Sequence, residues 1–263
     1  MGQYFKGAGG VTFDADSAVV DAVVPSPNFG ERRGAVRPDM LILHYTGMRE
    51  GDSPLARLTD PDSGVSAHYL VEEDGRILQM VPEGARAWHA GESYWQGERD
   101  INSRSIGIEI VNPGHRHGLR PYPPRQIQRL IELCRDCVER WAIAPQNVLA
   151  HSDVAPSRKE DPGELFPWDQ LSRAGIGTVV DAPPMGGGRF LTIGDRGAPV
   201  TAWQTMLAGY GFELEATGTF DETTRLATIA LQRHHRQTRV DGVADASTVG
   251  VLHRLLSLRA ATR

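Results

Sequence analysis

The run Met40-Leu-Ile-Leu-His-Tyr-Thr46 places the tightest limit on the fold. Its apolar residues are consecutive rather than alternating, so both faces of a strand here are buried and the strand is central in its sheet. The strand ends on His44. A second short apolar run, Val148-Leu-Ala150, ends in the same way on His151. The segment that follows, His151-Ser-Asp-Val-Ala-Pro-Ser-Arg-Lys-Glu-Asp161, gathers a histidine, a lysine and several carboxylates. Pro156 and Pro162 forbid a continuous helix through it. A strand therefore delivers His151 into a polar loop, and the loop returns Lys159 and Asp161 toward the same place. Loops held on a rigid scaffold are where binding and catalysis usually sit.

The rest of the N-terminal part supplies the scaffold. Residues 1 to about 35 are rich in Gly, Asp and Pro and read as an irregular lead-in. Ser53-Pro54 is an N-cap and first-turn pair opening a short helix to about Leu58. Asp74-Gly75 joins two strands of the segment Ser66–Val81 as a hairpin. In Ser105–Asn112, Ile106, Ile108 and Ile110 alternate with Gly107 and Glu109, so one face is apolar and the other carries a carboxylate. Such a carboxylate faces either water or a site. Pro123-Pro124 opens a long helix to about Ala142, with Ile127, Leu130, Ile131, Cys134, Val138 and Trp141 as its core stripe. Cys134 and Cys137, the only cysteines, lie on this helix and read as reduced, half-buried thiols. Pro167-Trp168 leads into a last short helix ending near Gly175.

Composition changes at Val179–Arg189, where Pro and Gly without periodicity mark a linker. The expected domains are 1–178 and 191–263, joined by a linker over 179–190. The second is a small three-helix unit with helices near Pro199–Tyr210, Asp221–His235 and Ala246–Leu258. Its turns at Gly218–Thr224 and Asp241–Thr248 resemble each other, which suggests two related loop-helix units. The adjacent His234 and His235 are expected at the surface.

If His44, His151 and Asp161 converge, two imidazoles and one carboxylate leave one open position on a tetrahedral zinc, the pattern of a catalytic site. Bound water at such a centre is a nucleophile at neutral pH. Amide hydrolysis then needs a base to carry a proton to the leaving nitrogen, for which Glu109 is suited, and a cation for the oxyanion, for which Lys159 is suited. On residues alone, His68, His89, His115 and His117 compete as ligands, and Asp153 competes with Asp161. His115 and His117 read as an exposed loop, and His68 as a strand residue lining the cleft. No Gly-x-Ser-x-Gly elbow or cysteine nucleophile supports a metal-independent hydrolase.

Five segments carry a family resemblance: Leu43-His-Tyr-Thr46, Ser66-Ala-His-Tyr69, Ala87-Trp-His-Ala-Gly91, Asn102–Glu109 and His151–Gly163. In this order they resemble the zinc-dependent N-acetylmuramoyl-L-alanine amidases of the type 2 family, over about residues 35 to 175. The resemblance implies an α/β fold, a mixed central β-sheet flanked by helices. It implies one zinc ion per chain held by His44, His151 and Asp161, with Glu109 and Lys159 as catalytic residues. Trp88 and His89 line the implied cleft, and His68 is grouped with them as substrate-binding. Where the phage branch has a catalytic tyrosine and a cysteine ligand, this chain has Ala67 and Asp161, which matches the bacterial muropeptide-amidase branch. The C-terminal unit resembles the type 1 peptidoglycan-binding domain through Gly194-Asp-Arg-Gly197, Trp203-Gln204, Leu207, Gly218-Thr-Phe220, Thr224, Leu231-Gln232, Asp241-Gly242 and Thr248. The implied reaction is hydrolysis of the amide between N-acetylmuramic acid, or its 1,6-anhydro form, and L-alanine of the stem peptide. The alternative is a recognition protein that binds peptidoglycan without cutting it.

Charge and hydropathy restrict the partners. A net charge of −5 argues against non-specific nucleic-acid binding. No segment has the roughly 18 to 20 apolar residues that cross a bilayer. No secretory pattern is visible in Met1–Asp14, so the chain as given is expected in the cytoplasm, with the periplasm as the alternative if a leader precedes it.

Overall fold

The computed structural model describes residues 5–7, 10–35, 37–184, 186 and 190–261. Its centre is a mixed sheet of β1 (Ala22–Val23), β2 (Met40–Tyr45), β3 (Tyr69–Val71), β4 (Ile77–Gln79), β5 (Ser105–Ile110) and β6 (Val148–Ala150), in the order β6-β2-β5-β3-β4-β1. Every neighbouring pair is parallel except β3 and β4, which the Asp74-Gly75 hairpin joins. The strand expected over Met40–Thr46 forms over Met40–Tyr45 and is interior to the sheet, flanked by β6 and β5. The lead-in is more ordered than expected. Ala22–Val23 pairs with β4 at the sheet edge because Asp21 and Val24 donate their N–H groups to the carbonyls of Ile77 and Gln79, each at 2.9 Å.

Alternation along the strands sorts their side chains between two cores. On one side, Leu41, Leu43, Ile106, Ile108, Ile110, Val148 and Ala150 pack against the long helix α2 (Pro124–Trp141), which follows the shorter α1 (Pro54–Thr59) in the chain. The buried face of α2 carries Ile127, Leu130, Leu133, Cys134 and Cys137, whereas Ile131, Val138 and Trp141 are only partly covered. The stripe is rotated from the expected one because Trp141 sits at the margin of the core, with its indole N–H donating to the buried Glu83 at 2.6 Å. Both cysteines are free and fully buried, rather than half-buried.

The other face carries Met40, Ile42 and Leu149, and these share one apolar cluster with the C-terminal helices α3 (Ala198–Tyr210), α4 (Glu222–His235) and α5 (Ala246–Ala261). Trp95 joins the two parts, its ring standing edge-on to Tyr210 at 5.5 Å and Phe212 at 5.4 Å. Of the expected linker, Met185, Gly187, Gly188 and Arg189 lie outside the described residues. The part before them lies on α5, where the Pro183 carbonyl accepts from Ser247 Oγ at 2.7 Å.

The repeat within the C-terminal unit is visible as hydrogen bonding. Asp221 accepts the N–H of Thr224, and Asp245 accepts that of Thr248, each at 2.8 Å. In each half a buried glutamine closes the turn. Gln204 bonds Gly218 and Thr224, and Gln232 bonds Gly242 and Thr248. Each amide satisfies buried polar groups of its turn that would otherwise be costly to desolvate. Among the described residues no helix is long and apolar enough to cross a membrane.

Candidate active site

The register of the parallel strands assembles the site. His44 on β2 pairs directly with Glu109 on β5. Leu43 pairs with Ala150, the last residue of β6, so His151 begins the next row beside His44. Three polar side chains thus stand at the carboxyl ends of three adjacent parallel strands, the edge where ligands collect in such sheets. His151 opens a single helical turn to Val154 rather than passing straight into a loop. The chain then doubles back, and the N–H of Ser152 donates to the Asp161 carbonyl at 3.0 Å.

These elements bring His44, His151 and Asp161 together and bury all three. His44 Nδ1 lies 2.8 Å from His151 Nδ1 and 3.1 Å from Asp161 Oδ2, and His151 Nδ1 lies 2.9 Å from the same oxygen. Asp153, the competing carboxylate, points elsewhere. Its Oδ2 accepts the N–H of Ala150 at 2.8 Å and faces His234 Nδ1 at 2.7 Å.

The surrounding hydrogen bonds determine where the ring protons are. His151 Nε2 is 3.0 Å from the Ala90 carbonyl, which can only accept, so this nitrogen carries the proton and Nδ1 is bare. The same bookkeeping applies to His44. The Ser105 hydroxyl donates its one proton to the Ile101 carbonyl at 2.6 Å, so it accepts from His89 Nε2 at 3.1 Å. His89 Nδ1 then accepts from His44 Nε2 at 3.0 Å, which leaves His44 Nδ1 bare as well. Burial, followed by the neighbouring His151, pushes the His44 imidazole down to about 4, so it is neutral at neutral pH. Two nitrogen lone pairs and a carboxylate oxygen therefore converge with no proton to share among them. That donor set suits a cation, and nitrogen with oxygen donors suits zinc.

Glu109 stands beside this cluster, half-buried, with Oε2 shut off from solvent and unpartnered. Burial, reinforced by the charge of Asp161, raises its carboxyl well above the usual range. It opens onto a cleft of about 530 Å³ that Trp88, His89 and Lys159 also line. Arg57, Arg116 and Arg158 also line it, three cations that the sequence reading missed. Arg158 could have been suspected, since it adjoins Lys159 in the polar loop. Its guanidinium donates to the carbonyls of Ala90, at 2.8 Å, and Glu92, tying that loop to the Trp88–Gly91 segment.

His68 does not belong to the cleft, contrary to expectation. It is fully buried, its Nδ1 accepts the N–H of Gly107 at 3.0 Å, and its Nε2 meets the Ala85 carbonyl at 3.1 Å. Both ring nitrogens are consumed by backbone, so none is left for a ligand. His115 is half-buried rather than exposed, bonded to Tyr45 at 3.1 Å and Glu164 at 2.9 Å.

His89 rests flat against the sheet because residue 107 is glycine. A Cβ at Gly107 would lie 2.4 Å from the His89 ring. Gly107→Ala is therefore expected to expel that ring and to cost about 1–3 kcal/mol, as overpacked cores do. Chemical denaturation measures the cost, and an unchanged midpoint would show that the ring can move aside freely.

Comparison with known proteins places these features. Residues 34–164 match the N-acetylmuramoyl-L-alanine amidase family, and residues 196–252 match a peptidoglycan binding domain family. The chain is 42% identical to the N-acetylmuramoyl-L-alanine amidase AmiD of Escherichia coli over 237 residues, covering 84% of this chain and 83% of that protein. It is 34% identical to the 1,6-anhydro-N-acetylmuramyl-L-alanine amidase AmpD of E. coli over 55% of this chain and 86% of AmpD. Among solved structures, E. coli AmiD in complex with anhydro-N-acetylmuramic acid-L-Ala-D-gamma-Glu-L-Lys superposes with a TM-score of 0.73 at 38% identity, covering 88% of this chain and 98% of that one. AmpDh3 of Pseudomonas aeruginosa superposes at 0.69 with 30% identity, covering 86% of this chain and 94% of that one.

Proposed function

This chain belongs to the N-acetylmuramoyl-L-alanine amidase family, and from that premise we propose that it is a zinc hydrolase. It cleaves the amide between N-acetylmuramic acid, or its 1,6-anhydro form, and L-alanine of the stem peptide. The observation that carries this reading is the proton-free convergence of His44 Nδ1, His151 Nδ1 and Asp161 Oδ2 beside an unpartnered Glu109. These three residues hold the metal. When bound, zinc supplies the Lewis acidity that makes water nucleophilic at neutral pH and polarises the scissile carbonyl.

The protein's own groups do the rest. Glu109 takes a proton from the attacking water and delivers it to the leaving nitrogen as the carbon–nitrogen bond breaks. Its raised carboxyl suits both steps, since it accepts and releases a proton closer to neutral pH than an exposed glutamate would. Lys159 offers its ammonium group to the oxyanion that develops on the carbonyl. Trp88 and His89 line the cleft, and the arginines that line it with them suit the carboxylates of a stem peptide. Domain 191–263 engages the glycan polymer or its fragments.

The test uses the purified full chain with soluble anhydro-muropeptides and, separately, with intact sacculi. Activity is expected to disappear on chelation and to return with zinc, releasing free stem peptides. Sacculus binding without cleavage under any metal condition would overturn the hydrolase reading in favour of recognition alone.

A further inference from the structure

Three residues at and just beyond the end of α4, Arg233, His234 and Gln237, grip the segment that carries His151, Lys159 and Asp161 at both of its ends. At the start, buried His234 Nδ1 meets Asp153 Oδ2 at 2.7 Å, and that oxygen also accepts the N–H of Ala150. Asp153 thereby fixes the helical turn whose first residue is His151. At the far end, Arg233 pairs with Glu160 at 2.7 Å and with Glu164 at 3.6 Å, on either side of Asp161. Gln237 Nε2 donates to the carbonyls of Glu164 at 2.9 Å and Phe166 at 2.7 Å. The His234 ring cannot turn away. It is stacked between Trp168 at 3.7 Å and His235 at 3.8 Å, and His235 is held by Tyr210 at 2.9 Å.

We infer that the C-terminal unit is a structural part of the metal centre, with Arg233, His234 and Gln237 as positioning residues that hold His151 and Asp161 at ligating separation. This rests on the zinc reading above. It assigns the helical unit a task separate from contact with peptidoglycan, because the gripping residues face the catalytic part rather than solvent. A loop of this length without secondary structure after Val154 would otherwise sample many arrangements, and each departure from ligating geometry lowers affinity.

The experiment compares full-length variants by zinc affinity, measured in competition with a chromophoric chelator, and by the visible spectrum of the cobalt-loaded protein. His234→Leu removes the donor to Asp153 and is expected to weaken zinc binding by about 10- to 100-fold, the usual effect of losing a group that orients a ligand. His234→Asn keeps a donor near the Nδ1 position and is expected to restore most of the affinity. Arg233→Ala combined with Gln237→Ala loosens the other end without touching the buried stack and is expected to weaken binding and alter the cobalt bands. Arg99→Ala breaks the Arg99–Glu213 pair, an exposed contact between the same two parts in which neither side chain bonds the ligand loop, and is expected to change neither readout. Thermal melts of each metal-free variant separate loss of fold from loss of positioning. Folded variants that all bind zinc as tightly as the parent chain, with unchanged cobalt spectra, would overturn the inference. A parent chain that binds neither metal would overturn the zinc reading first, and this inference with it.

Discussion

Glu109→Ala is expected to lower kcat by about 10²-fold or more while a full complement of zinc stays bound, the usual loss when a general base is removed. KM is expected to change little, because the lost interaction belongs to the transition state rather than to substrate binding. Glu109→Gln, which keeps the shape and loses the proton transfer, is expected to behave in the same way. The structure adds a second expectation. Glu109 Oε2 has no partner, and a buried carboxylate without one is a burden on the fold. Metal-free Glu109→Gln is therefore expected to melt no lower than the metal-free parent, and each kcal/mol relieved would raise Tm by about 2–4 °C. Residual activity near the parent level would remove Glu109 from the role of base. Loss of activity together with loss of zinc would make it a metal-site residue instead.

Much of this site was legible because its residues punctuate apolar runs. His44 and His151 each end or follow a stretch that reads as a buried strand, and Glu109 takes the polar place in a regular alternation. The register that makes His44 and Glu109 neighbours was not legible. It depends on β2 and β5 lying side by side although about sixty residues separate them, and nothing local encodes that adjacency. His68 shows the limit most clearly. Like His89 it follows a motif of the right composition. Only the three-dimensional fold shows that the Gly107 N–H and the Ala85 carbonyl occupy its two nitrogens, while His89 accepts from His44 and donates to Ser105.

The C-terminal unit misled in a different way. Gln-Arg-His-His-Arg-Gln at 232–237 is polar throughout, and a polar helix end reads as solvent-facing. His234 and His235 are instead buried, with rings stacked at 3.8 Å, because their partners Asp153, Trp168 and Tyr210 lie elsewhere in the chain. Burial of polar groups was the clue that composition could not supply. His234 is matched by Asp153 and His235 by Tyr210, and the first of these matches points at the ligand loop.

Asp161→Ala tests the metal centre most directly, and its expected outcome is loss of bound zinc with activity at the level of chelated protein. The two imidazoles alone would provide nitrogen donors without the negative charge that balances a dication. The neighbouring carboxylate cannot substitute. Asp153 is turned toward His234 and the Ala150 N–H, and redirecting it would break both bonds and the turn that presents His151. Asp153→Ala is accordingly expected to retain a stoichiometric metal at reduced affinity, whereas Asp161→Ala retains none. Elemental analysis after gel filtration distinguishes the two. Stoichiometric zinc in Asp161→Ala, lost only when Asp153 is also replaced, would reassign the third ligand to Asp153. It would also require the loop to reorganise around a pairing that the metal-free fold does not make. Because Asp161 contributes its backbone carbonyl to Ser152 irrespective of side chain, the loop path itself is expected to survive the substitution. Zinc loss in a folded variant then reports on the carboxylate alone.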